Sequence, residues 1–137
     1  MAVIDFKNYR IIKMYYERNK SFKNIDNGKN TISPQFSVHI NDSSKDKVII
    51  QLSVKIDENN FPFKLEVSLE GMFAYNSDED ATNIGKEVFF SRNAVAILFP
   101  YLRSCVSSLT NLSNENRALI LPTMNIVELL KKQGNLK

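Results

Sequence analysis

The sequence predicts one α+β domain in which helices cover one face of a four-stranded antiparallel sheet. Up to about residue 75, apolar and polar residues alternate with the period of two that is typical of half-buried strands. Beyond a polar break, apolar residues recur at the spacing of three to four that marks one face of a helix. The chain has 137 residues, of which 43% are hydrophobic. Residues 1–137 are therefore enough for one domain with a core and short for two.

A hairpin is the clearest part of the predicted sheet. Residues 47–56 and residues 61–70 both alternate, and the turn-forming run DENN lies between them. The apolar side chains on the shared face are Val48, Ile50, Leu52, Val54 and Ile56 in the first strand and Phe61, Phe63, Leu65, Val67 and Leu69 in the second.

Two further strands are predicted upstream of the hairpin. Residues 35–41 alternate, and Pro34 stands at their start, where a missing N–H is tolerated. Residues 4–22 have apolar groups on both faces, which leaves a helix possible. Their β-branched and aromatic residues favour a strand that is packed or paired on both sides. Residues 23–33 carry turn chemistry and predict a connecting loop.

Two helices are predicted in the second half. The apolar spacing runs over residues 93–112, with Pro100 inside the pattern, where it should kink or interrupt the helix. A loop over residues 113–122 leads to a short helix near residues 125–132. Asn125 is a plausible N-cap of that helix, and Glu128 completes a pair like a capping box.

Composition excludes several classes of site. A single cysteine excludes an intramolecular disulfide, and a single histidine excludes multi-His and Cys/His metal centres. No apolar run approaches the roughly 20 residues of a membrane-spanning helix, so we expect no membrane insertion. The N-terminus lacks the apolar core of a secretory signal, and the lone thiol fits a reducing compartment. These features predict a cytoplasmic protein.

Residues that often carry chemistry have structural explanations here. His39 could act as a general base only with a partner nucleophile, and no sequence motif indicates one. Cys105 falls on the apolar stripe of a helix, where a buried structural thiol is expected. The acidic run 78–80 could bind a hard cation, but it lacks the pattern of a calcium loop and is better explained as a solvated loop. Glu66 and Glu70 fit an outward, solvated strand face. No phosphate-binding, nucleophile-elbow or zinc motif occurs, so we expect no enzyme and no cofactor.

The first segment combines basic residues with tyrosines, which leaves a nucleic-acid surface open as a hypothesis. The net charge of +3, with a pI near 9.0, is well short of the clustered charge of a dedicated nucleic-acid binder. An edge strand protected by charges is the alternative that we favour. The basic residues are Lys7, Arg10, Lys13, Arg18, Lys20 and Lys23.

Four strings in order resemble the family of SecB, the bacterial protein-export chaperone. LFPYLR at 98–103 resembles its signature, and LILPTMNI at 119–126 is similar to the segment that leads into its last helix. EGMF at 70–73 resembles the end of a family strand, and SF at 21–22 resembles a pair that closes the first strand. The resemblance spans nearly the whole chain.

The resemblance implies a four-stranded sheet with helices on one side, assembled as a homotetramer that is a dimer of dimers. It implies an ATP-independent holdase that binds unfolded polypeptides or preproteins in hydrophobic grooves and hands preproteins to the SecA motor. Some SecB-like proteins instead stabilise the antitoxin of a toxin–antitoxin pair, and the sequence leaves both clients open.

Site residues follow partly from the same resemblance. Phe63 and Tyr101 align with aromatic groove positions, and Ile32 stands where a Trp is common in the family. Leu65, Val67 and Leu69 correspond to a stretch that belongs to the core or the oligomer interface. The expected client-binding groove comprises Ile32, Phe36, Val38, Ile40, Phe61, Phe63, Phe99 and Tyr101.

Charge is where this chain departs from the SecB pattern. In the proteobacterial proteins an acidic surface meets a basic tail of SecA. Glu66 matches one acidic position of that surface, but two others are Asn19 and Lys23 here, and Lys64 replaces a neighbouring Leu. An acidic C-terminal tail is replaced by KKQGNLK at 131–137. These changes turn an attraction into a neutral or repulsive encounter, so we predict weak binding of the SecA tail.

Overall fold

The sheet is built from four strands, and the helices follow them in the chain. The computed structural model describes residues 4–20, 34–41, 47–59, 61–75, 89–114, 118–121 and 126–132. The strands are β1 (Ile4–Arg18), β2 (Gln35–Asn41), β3 (Lys47–Ile56) and β4 (Phe63–Tyr75). A π-helical turn (Phe89–Ala94) continues into helix α1 (Val95–Leu112), and helix α2 (Ile126–Lys132) comes last. All neighbours pair antiparallel in the order β1-β4-β3-β2, so β1 and β2 form the two edges.

The strand predictions are confirmed, with two changes of boundary. Residues 35–41 and 47–56 form strands with the predicted limits. The next strand begins at Phe63 and continues to Tyr75, because Phe61 belongs to the turn and its N–H donates to the carbonyl of Glu58 at 3.3 Å. The first segment is a strand, as favoured, and ends at Arg18. The predicted loop over 23–33 lies outside the described residues.

Strand β1 contains two β-bulges, which explain its untidy sequence pattern. Its pairing with β4 shifts between Phe6 and Asn8 and again between Ile11 and Lys13. Lys7 and Ile12 are therefore the extra residues, and each moves the following side chains to the opposite phase of the alternation. The side chains alternate strictly only within each of the three stretches into which the two bulges divide β1.

One face of the sheet is buried under the helices, and we call it the inner face. Ile50 and Leu52 of β3 and Leu69 of β4 are completely buried there, as is Leu98 of α1. Gly71 lies where α1 crosses β4, and a Cβ atom at this position would come within 2.6 Å of Leu98 Cδ2. The absence of a side chain thus lets the helix approach the sheet closely.

Helix α1 continues through Pro100. Of the two outcomes expected there, a kink or an interruption, the interruption does not occur. The α-helix runs unbroken from Val95 to Leu112, and the irregular π-helical turn precedes it. Proline removes the hydrogen bond to the carbonyl of Ala96. Because Ala96 and Pro100 are both exposed, water can solvate that carbonyl. The chain leaves the helix through Asn114, which adopts a left-handed φ of 57°.

Two side chains of α1 hold residues 118–121 against the helix. The Thr110 hydroxyl donates to the carbonyl of Val106 at 2.8 Å and accepts the N–H of Leu119 at 2.7 Å. Arg103 Nε donates to the carbonyl of Leu121 at 2.8 Å. The arginine that ends the LFPYLR string therefore has a structural role. The proposed cap Asn125 lies outside the described residues.

The helices that the structure describes include none that combines the length and the apolarity needed to cross a membrane.

Candidate functional site

The inner face of β1 is exposed where the helices do not cover it. Met14 pairs with Val67 and Ile11 pairs with Leu69, so they share the face of those two completely buried residues. Nevertheless 49% of Ile11 and 38% of Met14 is exposed. Helix α1 contacts β3 and β4 more than β1, which leaves this edge of the inner face open. We define the β1 apolar surface as Tyr9, Ile11, Met14 and Tyr16.

Aromatic clusters flank this surface at both ends. At one end the Tyr9 and Tyr101 ring centroids are 4.5 Å apart, and Phe6 lies 5.5 Å from Tyr101 and 5.2 Å from Phe73. At the other end Tyr16 stacks on Phe63 at 5.1 Å. The clusters fix both ends of the surface, while Ile11 and Met14 stay accessible between them.

The charges of β1 lie mainly on the opposite, outer face of the sheet, where they form ion pairs. Arg10 Nε lies 2.8 Å from Glu70 Oε1, and Lys13 Nζ lies 3.1 Å from Glu66 Oε1. These contacts join β1 to β4 and neutralise Arg10 and Lys13. Glu66 and Glu70 on β4 are thus each paired with a basic residue of β1, whereas the sequence predicts only a solvated face. The pairing reduces the case for a nucleic-acid surface, which needs free cations.

The predicted groove residues do not form one exposed surface. Phe36, Phe61, Phe63 and Phe99 are buried in the core, where Phe36 packs edge-on against Phe99 with centroids 5.9 Å apart. Their burial gives them a packing role in the isolated chain, and their part in a groove stays a prediction.

The remaining predicted groove residues are more accessible. Val38 and Tyr101 are half-buried, and 36% of Ile40 is exposed on the edge strand β2. Ile32 lies outside the described residues. Leu65, Val67 and Leu69, expected in the core or at an oligomer interface, are buried in the core of this chain.

Ile11 and Met14 are not among the expected groove residues, although the sequence shows apolar groups on both faces of their segment. The run RIIKMYY shows the irregularity, because it contains more apolar residues than one face of a regularly alternating strand can hold. Without the bulge positions, those residues could not be assigned to the inner face.

The described residues offer little for catalysis or metal binding. They contain no group of three or more His, Cys, Asp or Glu side chains placed to hold a metal ion. Cys105 is buried, and this burial raises the pKa of its thiol, which disfavours the reactive thiolate. His39 is exposed on β2, opposite Gln51. The acidic run 78–80 lies outside the described residues. Exposed apolar patches on protein surfaces mark places of contact with other molecules, so the β1 apolar surface is the candidate site.

Asn19 has a structural task that an acidic residue could not perform. Its amide Nδ2 donates to the carbonyls of Asn59 at 2.9 Å and Phe61 at 2.8 Å. Its backbone N–H donates to the carbonyl of Pro62 at 2.9 Å. An aspartate has no side-chain donor at neutral pH, so this clamp on the β3–β4 turn explains why the position is not acidic.

The exposed face of α1 is narrow and uncharged. Ala96, Pro100, Ser104 and Ser108 follow one another at four-residue intervals, and all are exposed. Arg103 is the one charged residue of this helix, and it is bound to the carbonyl of Leu121. Small side chains allow another helix to approach such a face closely.

Comparison with known proteins gives matches among solved structures. No family model and no curated protein matches the sequence. The SecB-like chaperone Rv1957 of Mycobacterium tuberculosis, solved with a ChAD peptide from the Rv1956 HigA1 antitoxin, matches with a TM-score of 0.64 and 13% identity. The match covers 88% of this chain and 90% of that chain.

A second similar structure is a protein of unknown function from Streptococcus agalactiae. It matches with a TM-score of 0.50 and 9% identity, over 88% of this chain and 97% of that chain. At such low identities the likeness concerns the fold. The resemblance drawn from the sequence strings is confirmed at that level: this chain has the four-stranded antiparallel fold of a SecB-like chaperone.

Proposed function

We propose that this protein is an ATP-independent holdase chaperone that binds extended apolar segments of unfolded polypeptides in the cytoplasm. One observation carries the proposal: on a SecB-like fold, an edge strand exposes Ile11 and Met14 beside buried core residues. Long apolar segments of many sequences need an adaptable apolar lining, which methionine and aromatic side chains supply. The function needs no catalytic group, cofactor or metal, and we expect no enzymatic activity.

A dedicated antitoxin client is the second candidate. The SecB-like chaperone Rv1957 was solved with a peptide from an antitoxin, which favours a peptide ligand of this kind for the fold. An antitoxin segment and an unfolded preprotein present similar apolar chains. The two clients therefore require the same surface chemistry.

Delivery to SecA is the less favoured part of an export role. Glu66, which matches an acidic position of the SecB docking surface, is paired with Lys13, and Lys64 Nζ lies 3.3 Å from Asp57 Oδ1. The Asn19 amide is occupied by the β3–β4 turn. The two ion pairs neutralise carboxylates that a basic tail would need, and Asn19 carries no charge, which supports the expectation of weak SecA binding. A titration with that tail tests it, since tight and salt-sensitive binding would contradict it.

Self-association into a homotetramer belongs to the same proposal. The uncharged exposed face of α1 is suitable for contact with other copies. Light scattering tests this part, because a strict monomer at working concentration would contradict it. A nucleic-acid-binding module is the alternative from another class, and the ion pairs of Arg10 and Lys13 count against it.

Suppression of aggregation tests the chaperone function directly. A reduced, unfolded model protein should stay dispersed at stoichiometric amounts of this protein without ATP. Ile11→Ser combined with Met14→Ser should weaken the effect, because both changes remove apolar area from the β1 apolar surface. The matched control is Leu112→Ser, which changes an apolar residue on α1 that is 78% exposed.

The outcomes separate the possibilities. No protection by the wild-type protein would contradict the chaperone proposal. Equal loss in the double variant and in the Leu112→Ser control would contradict the assignment of the surface. Circular dichroism of each variant shows that the fold is retained.

A further inference from the structure

The β1 apolar surface ends at a cation that has no partner in the described part of the chain. Arg18 pairs with the buried Phe63 and therefore lies on the inner face, two residues beyond Tyr16. It is exposed and forms no ion pair or side-chain hydrogen bond with the residues that the structure describes. The inner-face residues of β1 before it are uncharged: Ile4, Phe6, Tyr9, Ile11, Met14 and Tyr16.

The position of Arg18 differs from that of Arg10. Arg10 lies on the outer face and is neutralised by Glu70 at 2.8 Å. Arg18 instead extends an apolar strip with a guanidinium, whose planar N–H groups bind carboxylates bidentately. Since its side chain is already exposed, a carboxylate can reach it while apolar side chains contact the adjoining strand.

The strand geometry sets the spacing between the two contacts. Arg18 lies four residues beyond Met14 along β1, which corresponds to about 13 Å at a rise of about 3.3 Å per residue. An extended peptide has the same rise. A carboxylate about four residues from the side chain over Met14 would therefore meet Arg18.

We propose that the β1 apolar surface binds extended apolar segments that carry a carboxylate at one end, with Arg18 as the anchor of that carboxylate. The inference rests on the proposed function and adds a charge preference to it. The partner chemistry is an apolar peptide with a terminal acidic residue, opposite in sign to the basic SecA tail.

Three synthetic peptides test the charge preference. They share one extended apolar core and end in two Asp, two Asn or two Lys residues, and fluorescence anisotropy measures their affinities. We expect the Asp peptide to bind about 2- to 5-fold more tightly than the Asn peptide, the range of an exposed ion pair, and the Lys peptide to bind more weakly. The differences should vanish at about 0.5 M salt, where screening shortens the range of the interaction.

Paired arginine variants locate the effect. Arg18→Gln should abolish the preference for the Asp peptide and leave the affinity for the Asn peptide unchanged. Arg10→Gln removes one positive charge from the same strand on the outer face, and it should keep the preference. A general effect of net charge would make the two variants equal.

Other outcomes would overturn the inference. Equal binding of the Asp and Lys peptides, or a preference that survives in Arg18→Gln, contradicts it while binding of the Asn peptide still supports the proposed function. If no peptide binds, the proposed function fails together with the inference. If Met14→Lys lowers the oligomer mass without changing peptide affinity, another copy occupies the surface and the inference is wrong.

Discussion

Replacing Gly71 with alanine should destabilise the protein, because α1 crosses β4 there without room for a side chain. A Cβ atom would lie 2.6 Å from Leu98 Cδ2, 2.9 Å from Leu98 Cδ1 and 2.7 Å from Phe73 Cε2. The optimal separation of two carbon atoms is about 3.5–4.0 Å, so the neighbours must retreat by about 1 Å. Leu98 and Phe73 are 0% and 1% exposed, so other core atoms surround them and neither side chain can move out into solvent without rearranging the core.

The expected size of the effect follows from two opposing contributions. Overpacking of a well-filled core reduces stability by about 1–3 kcal/mol. Reduced backbone entropy of the unfolded chain returns about 0.4–1 kcal/mol when glycine becomes alanine. We therefore expect Gly71→Ala to lower the free energy of unfolding by about 1–2 kcal/mol. Urea unfolding at fixed protein concentration, followed by far-UV circular dichroism, measures this change.

A double-mutant cycle with Leu98 tests the reasoning. Leu98→Ala alone should lower stability by about 2–5 kcal/mol, because it leaves a cavity in the core. In its presence the methyl group that Gly71→Ala introduces loses its two close contacts with Leu98 and keeps the one with Phe73, so this second change should destabilise the protein less than it does alone. Additive effects of the two changes, or a loss below about 0.5 kcal/mol for Gly71→Ala alone, would refute the steric explanation.

Three further predictions concern single side chains. Arg103→Gln should lower stability by about 1–3 kcal/mol, because it leaves the carbonyl of Leu121 without its donor, whereas the exposed Arg92→Gln should have little effect in the same urea titration. Asn19→Asp should lower the thermal midpoint at pH 7, since it replaces a donor to two carbonyls with a repelling carboxylate, and an unchanged midpoint would contradict the clamp. Cys105 should react slowly with a thiol reagent in the folded protein. Because burial raises the pKa of its thiol above the unfolded value, its contribution to stability should fall as pH rises from the unfolded-chain pKa towards the folded one, and Cys105→Ala should remove that pH dependence.

The regular strands could be predicted because their periodicity and their environment agree. In β3, alternate residues such as Ile50 and Leu52 are completely buried, and the strand has the predicted limits. Such a strand is covered on one face and has partner strands on both sides. Each position therefore favours either an apolar or a polar residue, according to the face on which it lies.

Strand β1 and the groove show where the sequence was insufficient. The bulges at Lys7 and Ile12 follow from backbone pairing with β4, which no local pattern records. Phe36 and Phe99 looked equally available for a groove or a core, because an apolar side chain suits both. Only tertiary packing decides between them, and in this chain both residues are buried.

The bulges of β1 also bear on how this strand can change in evolution. Lys7 and Ile12 are extra residues in the pairing with β4, so deleting either one leaves the faces of the remaining side chains unchanged. Loss of an ordinary residue such as Arg10 would instead move the side chains on one side of the gap to the opposite face. Single-residue gaps between related chains should therefore concentrate at these two positions.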